Sequence, residues 1–178
     1  MKFLKLHSKG KLEKKQMSLK FNDKFIDPEK LEEVIRNLRK QGKRVVSLNG
    51  SFDLMHAGHL YILYEAKKQG DVLIVALNSD ESIRQYKNIH RPIIPLEYRI
   101  QMMAAIEVVD YVTYFHETAP MEILKKIHPD VHVNGAEYGA SCVEAETVEQ
   151  LGARLHLVDR IPSLSTSSII NKIRSLCD

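Results

Sequence analysis

The chain has 178 residues, 44% of them hydrophobic and 28% charged, with eight glycines, six prolines and two cysteines. Those fractions exclude a disordered, collagen-like or disulfide-scaffold composition, and the length fits one domain with a single full-sized core rather than a large multidomain enzyme. The longest uninterrupted apolar run, Val72 to Leu77, is far too short to cross a bilayer, which takes ~20 residues.

Residues 1–24 carry eight lysines against Glu13 and Asp23, so the net charge of +3 belongs to this segment and the remainder is net negative. Such an arm can hold polyanions by counterion release or can serve only as a solvated extension. It lacks the apolar stretch of a secretory signal. The expected organisation is a flexible basic extension over residues 1–24 and one cytoplasmic domain over 25–178, with no membrane segment and no folded nucleic-acid-binding surface. Cys142 and Cys177 form neither a CxxC pair nor a zinc pattern and fit free thiols in a reducing compartment.

From residue 25 the pattern alternates. Asp27-Pro28 reads as an N-cap followed by proline at the first helical position, and Leu31, Val34, Ile35 and Leu38 continue an amphipathic helix until Gly42. Arg44 to Leu48 reads as a buried strand that breaks at Asn49-Gly50. A helix over Gly58 to Gln69 ends at Gly70, and Val72 to Leu77 is an apolar strand. Further strands are expected at Tyr111 to Phe115, Val131 to Val133 and Arg154 to Val158. Helical patterns occupy Leu96 to Glu107, Met121 to Ile127, Glu144 to Leu151 and Ser167 to Leu176. Strands apolar on both faces, alternating with helices, require a parallel sheet covered on both sides, so the predicted class is a doubly wound, Rossmann-like α/β domain. In such sheets ligands bind beyond the carboxyl ends of the strands.

The polar residues fall at those ends. After the first strand, His56 and His59 lie three apart at a helix start, on one face and beside unsatisfied backbone N–H groups that attract anions. Gly58 between them lets a phosphate or a base approach the backbone. The same pair can equally be a cap and a packing residue, or with Asp53 a zinc site. Asn78-Ser79-Asp80 follows the second strand, where a helix would start and where an ordinary N-cap is the simple reading. Lys87, Arg91 and Arg99 come next, able to converge on a polyphosphate or to be scattered surface charge. Asn134-Gly135-Ala136-Glu137-Tyr138 follows the fourth strand. After the fifth, Ser165-Thr166-Ser167-Ser168 offers hydroxyls and backbone donors to phosphate oxygens, or simply caps a helix.

Together the HxGH sequence and the late Ser-Thr-Ser helix start resemble the cytidylyltransferase-like nucleotidyltransferase superfamily. Within it, Asn49-Gly50-x-Phe52-Asp53-Leu54-x-His56-Ala57-Gly58-His59, Asn78-Ser79-Asp80, Lys87 to Arg91-Pro92-Ile93 and Val109-Asp110-Tyr111-Val112 are most similar to the ADP-heptose synthases, over roughly residues 25–176. Three positions depart from the family pattern. Ser51 stands where many members have Cys, the Lys87 loop lacks a Gly-Pro before Arg91, and Asn134 replaces a lysine. Members often carry a sugar-kinase domain ahead of this one; here a stand-alone form is expected.

The resemblance implies adenylyl transfer from ATP to a sugar 1-phosphate, heptose 1-phosphate, in lipopolysaccharide inner-core synthesis, with Mg²⁺ carried mainly by the nucleotide phosphates and a homo-oligomeric assembly. Protein metal ligands are not expected. Catalytic roles at the phosphates then go to His56, His59, Lys87 and Arg91, with Arg99 a weaker candidate. The nucleotide pocket would be built by Asn49, Gly50, Phe52, Asp53, Gly58, Asn78, Asp80, Gly135, Glu137, Ser165, Thr166 and Ser167. Two other readings stay open: a cytidylyltransferase for glycerol 3-phosphate or a similar phosphate alcohol, and a non-catalytic nucleotide- or polyanion-binding module.

Overall fold

A computed structural model describes residues 23–159 and 165–177. Most of the basic extension lies outside the described residues. Five strands, β1 (Val45–Gly50), β2 (Val72–Asn78), β3 (Tyr111–Phe115), β4 (Val131–Gly135) and β5 (Arg154–Val158), form one sheet in the order β3-β2-β1-β4-β5. Every pairing is parallel, as the run of doubly apolar strands requires. Register follows from the pairs Val46 with Leu73, Val46 with Val131, Ile74 with Tyr111 and Val131 with Arg154. Phe25 adds a bridge to Val112 at the outer edge of β3. The Val112 N–H donates to the Lys24 carbonyl, so the sheet edge begins at the last lysine of the basic segment.

The period of two along β2 divides the core. Leu73, Val75 and Leu77 face one layer with Leu63 and Ala66 of α2 (Ala57–Lys67) and Met103 and Ala104 of α4 (Leu96–Ala104). Val72, Ile74 and Ala76 face the other with Leu31, Ile35 and Leu38 of α1 (Leu31–Lys40) and Ile123 and Ile127 of α5 (Met121–Ile127). Each fully buried aliphatic side chain here contributes about 1.5–3 kcal/mol. The remaining helices are α3 (Asp80–Tyr86), α6 (Ala145–Gln150) and α7 (Thr166–Cys177). None among the described residues is long and apolar enough to cross a membrane.

The elements match the expected pattern, with shifted ends. Asp27 does not cap α1: its carboxylate accepts the Glu29 N–H at 2.9 Å, closing a turn, and the helix begins only at Leu31. The first strand continues through Asn49-Gly50 instead of breaking there, because both residues keep partners on β2. Ser79 caps α3 by accepting the Ser82 N–H, a helix too short for its periodicity to register in the sequence.

Two carboxylates fasten the amino-terminal side of the fold. Asp110 accepts the Leu73 N–H at 2.7 Å and pairs with Lys67, joining β2 to α2. Asp130 accepts the Val45 N–H at 2.6 Å and pairs with Arg39, joining β1, β4 and α1. Asp130→Ala would leave the Val45 N–H without its partner beside a fully buried side chain, at a cost of about 1–3 kcal/mol. Urea unfolding should show a lower midpoint with an unchanged slope.

Candidate active site at the carboxyl edge of the sheet

At the end of β1 the chain must turn sharply to reach α2. Phe52 does so with φ at +44°, in the left-handed region that costs a non-glycine residue energy and that tends to persist where surrounding structure enforces it. Its ring, 6% exposed, lies against Gly50, where an added Cβ would meet the ring at 3.1 Å, and 5.1 Å from the His59 ring. His56 is the N-cap of α2: its Nδ1 accepts the Gly58 N–H at 3.1 Å, while His59 Nδ1 accepts the His56 N–H at 3.3 Å. The two rings stack with centroids 3.9 Å apart. Since each Nδ1 is an acceptor, the neutral tautomer of both rings carries its proton on Nε2, leaving two N–H donors. The His59 pKa falls to about 4, first through burial and then through the neighbouring His56 and Lys87 charges.

The segment between α3 and α4 is anchored beneath this pair. Asp53, 1% exposed, accepts the N–H groups of Ile93 and Ile94 and the Nε–H of Arg91. Burial alone would raise the Asp53 pKa, but these donors outweigh it and hold the carboxyl below its ordinary value. Arg99 is also 1% exposed, and it donates to the carbonyls of Ser51 and Ile94 and to Asp80. Lys87 extends from this segment and donates to Ser51 Oγ at 2.9 Å. Partial burial of its ammonium, reinforced by Arg91, lowers its pKa.

From the opposite side come β4, β5 and α7. Asn134 Oδ1 accepts the Gly135 N–H at 2.9 Å at the end of β4. A Cβ at Gly135 would collide with the Glu137 carboxylate, which folds back over it. Ser165 caps α7: its Oγ accepts the Ser168 N–H at 3.1 Å, and Ser168 Oγ donates to the Ser165 carbonyl at 2.7 Å. Thr166 Oγ1 donates to the Leu54 carbonyl at 3.3 Å, tying α7 to the segment before α2.

These pieces enclose a cavity of about 310 Å³. Of the residues singled out from the sequence, Asn49, Gly50, Phe52, His56, Gly58 and His59 line it from β1 and α2. Lys87 closes one side, Gly135 and Glu137 another, and Ser165, Thr166 and Ser167 a third. Arg91, Asp53, Asn78 and Asp80 do not line it. Arg91 is turned to Asp53, Asn78 donates to Ser82, and Asp80 receives Arg99, so these groups stand behind the wall and shape it. Arg99, considered for phosphate, is likewise structural. With the Asp53 carboxylate engaged, the zinc arrangement loses its third ligand. Ser165 and Thr166 use their hydroxyls within the fold, and Ser165 occupies the Ser168 N–H, which leaves the Thr166 and Ser167 N–H groups and the Ser167 hydroxyl to meet an anion.

Ser51, Asn134, Tyr138 and Asp159 also line the cavity. Asp159 was missed as a site residue, although its place directly after the fifth strand is the signal that the carboxyl-edge rule offers.

Two outcomes follow. In an NMR titration of the free protein, His59 should stay neutral down to about pH 4. Between the ordinary value of 6.5 and about 4 the unfolded chain binds a proton that the folded chain refuses, so stability should fall as pH drops through that window; His59→Asn should flatten the slope. Asp53→Asn presents an amide to N–H donors or leaves Arg91 without its charge partner. The expected result is a loss of about 2–4 kcal/mol, read by chemical denaturation.

The cytidylyltransferase-like family model matches residues 47–175. The bifunctional protein HldE of Syntrophotalea carbinolica is 39% identical over 157 residues, 88% of this chain and 32% of the relative. HldE of Alcanivorax borkumensis is 44% identical over 141 residues, 79% of this chain and 30% of the relative. The chain thus spans about a third of the length of the curated relatives it matches. Among solved structures, a lipopolysaccharide core biosynthesis protein of Thermoplasma volcanium is 31% identical, with a TM-score of 0.56 over 67% of this chain and 98% of that one. A pantoate-beta-alanine ligase of Francisella tularensis, complexed with beta-gamma ATP and beta-alanine, shares the fold at a TM-score of 0.60 and 17% identity over 86% of this chain and 79% of that one. The match over residues 47–175 spans β1 through α7, and the chain belongs to the cytidylyltransferase-like nucleotidyltransferase family.

Proposed function

We propose that this chain transfers AMP from ATP to a sugar 1-phosphate, heptose 1-phosphate, with release of pyrophosphate. The observation that carries the reading is the convergence on one cavity of the stacked His56–His59 pair, Lys87 and the first turn of α7. Resemblance of the motifs to the ADP-heptose synthases and the identity with HldE support the heptose acceptor. A place in lipopolysaccharide inner-core synthesis follows from that acceptor, and the use of ATP supports a cytoplasmic location. A homo-oligomer is the family expectation.

In this reaction an oxygen of the sugar phosphate attacks the α-phosphorus of ATP. The bond from that phosphorus to the bridging oxygen breaks, and its electron pair leaves with pyrophosphate. The protein supplies no nucleophile; its task is to align two anions and to meet the charge growing on the leaving oxygen. The Nε2–H groups of His56 and His59 are donors held in place by backbone bonds. A neutral His59 enters as a donor, and an arriving phosphate favours its charged form. Lys87 provides a cation beside it, and the N-terminus of α7 receives further phosphate oxygens. Gly58 keeps the wall close to backbone, Gly50 and Gly135 make room for the Phe52 ring and the Glu137 carboxylate, and Asn49, Phe52 and Glu137 bound the nucleotide.

Mg²⁺ fits the donor set. Among the described residues no cluster of three His, Cys, Asp or Glu side chains is preassembled for a metal, while Glu137 and Asp159 offer carboxylate oxygens at the cavity. A hard cation delivered mainly on phosphates, completed by one or two carboxylates, suits that arrangement and would neutralise phosphate charge there.

His56→Ala and His59→Ala should each lower kcat by about 10²-fold or more, the usual effect of deleting one transition-state donor. The deciding measurement is pyrophosphate release with ATP or CTP crossed with heptose 1-phosphate and glycerol 3-phosphate. Turnover only with ATP and the heptose supports the proposal. Turnover with CTP and glycerol 3-phosphate would replace it by the cytidylyltransferase reading, and binding without product in any combination by the non-catalytic one.

A further inference from the structure

Behind the β4 wall of the cavity lies a buried polar chain that the mechanism above does not use. Ser47 on β1 and His132 on β4 are paired in register, and Ser47 Oγ lies 2.8 Å from His132 Nδ1. His132 is fully buried, and its Nε2 has no hydrogen-bond partner among the described residues, but it lies 3.6 Å from Glu144 Oε1. Glu144, 4% exposed, stands just ahead of α6 and accepts Asn134 Nδ2–H at 2.8 Å. At its other end the same carboxamide accepts the Gly135 N–H. The Cys142 thiol, half-buried, completes the surroundings through contacts with Asn134 and Glu144.

The chemistry of these partners fixes the orientation of Asn134. A carboxylate only accepts and a backbone N–H only donates, so the amide nitrogen must face Glu144 and the amide oxygen must face Gly135. Asn134 therefore meets the cavity as a locked plate rather than as a free hydrogen-bonding group. Burial of a carboxylate is unfavourable unless donors surround it. The approach of the His132 ring, 3.6 Å away, outweighs the effect of burial and holds the Glu144 pKa below its ordinary value, so the group stays ionised at neutral pH.

We propose that Glu144 is a positioning residue for the nucleotide site: from behind β4 it grips the Asn134 carboxamide and through it the Gly135 backbone, fixing the wall against which the nucleotide lies. This rests on the nucleotide reading above. Glu144 reaches no ligand itself, and its effect belongs to binding rather than to the chemical step.

The test uses the full chain with Glu144→Ala, Glu144→Gln and Asn134→Leu and has two readouts. Hydrogen exchange at the Gly135 amide, without nucleotide, reports the grip; calorimetric affinity for ATP and CTP, with kcat, reports its consequence. Glu144→Ala should speed Gly135 exchange about tenfold and weaken nucleotide binding about tenfold, the scale of one lost buried hydrogen bond, while kcat changes less than about threefold. Glu144→Gln keeps an acceptor oxygen for Asn134 and should remain within about threefold of the parent in both readouts. Asn134→Leu has a similar shape but cannot be gripped, and should reproduce the Glu144→Ala defects even if that variant fails to fold. Parent-like exchange and affinity in Glu144→Ala or Asn134→Leu would overturn the proposal, as would Glu144→Gln behaving like Glu144→Ala. If the parent chain binds neither nucleotide, the nucleotide reading fails, and Gly135 exchange still decides whether Glu144 holds the backbone.

Discussion

β1 and β4 share hydrogen bonds, yet the chain leaves them toward opposite edges of the sheet, and nothing in the sheet can fill the space where the two departures diverge. That reversal creates the crevice between Asn49-Gly50 and Asn134-Gly135, and every other feature of the site is placed relative to it. Two helix starts, those of α2 and α7, are brought to its rim. Because the first N–H groups of a helix lack carbonyl partners in their own helix, both starts direct donors toward the crevice before any charged side chain is counted.

Charged side chains at the carboxyl edge divide into those that face the crevice and those that build it. Asp53 and Arg99 are both almost fully buried, and between them they hold the loop after α3, the Ser51 carbonyl and the start of α3. In a low-dielectric setting such groups are tolerated only when their hydrogen bonds are met, and each here has three well-placed partners or more. Position is what they contribute. Lys87 owes its placement to Asp53 and Arg99, which do not touch the cavity, whereas the imidazoles are held by each other, by Gly58 and by Phe52 on its wall.

Most of the architecture was legible in the sequence because strands buried on both faces leave apolar runs bounded by turn residues, and α1 has a strong helical periodicity. Helix ends were less so: the turn at Asp27 and the short α3 depend on local hydrogen bonds that have no periodic trace. At the site, HxGH and the hydroxyls ahead of α7 were readable by their place after strands. What was not readable was direction. Arg91 and Asp53 look like phosphate and nucleotide ligands in one dimension, but they neutralise each other in three, and only a fold can decide which charges are left over. The polar chain from Ser47 to Glu144 was equally hidden, since its ends are 97 residues apart and only Asn134 among its members stands in a cluster that the sequence singles out.

The bond from Lys87 to Ser51 gives the ammonium a fixed station at the rim of the cavity. Both ends of that contact sit on segments that Arg99 and Asp53 immobilise, so the cation is parked at the rim on a neutral hydroxyl rather than dispersed in solvent. An incoming anion need not recruit the lysine from many conformations; it has only to win it from Ser51, exchanging a neutral acceptor for a charged one over a short distance. Under the proposed transfer, loss of product would return the ammonium to the hydroxyl, which would make capture and release two halves of one swap.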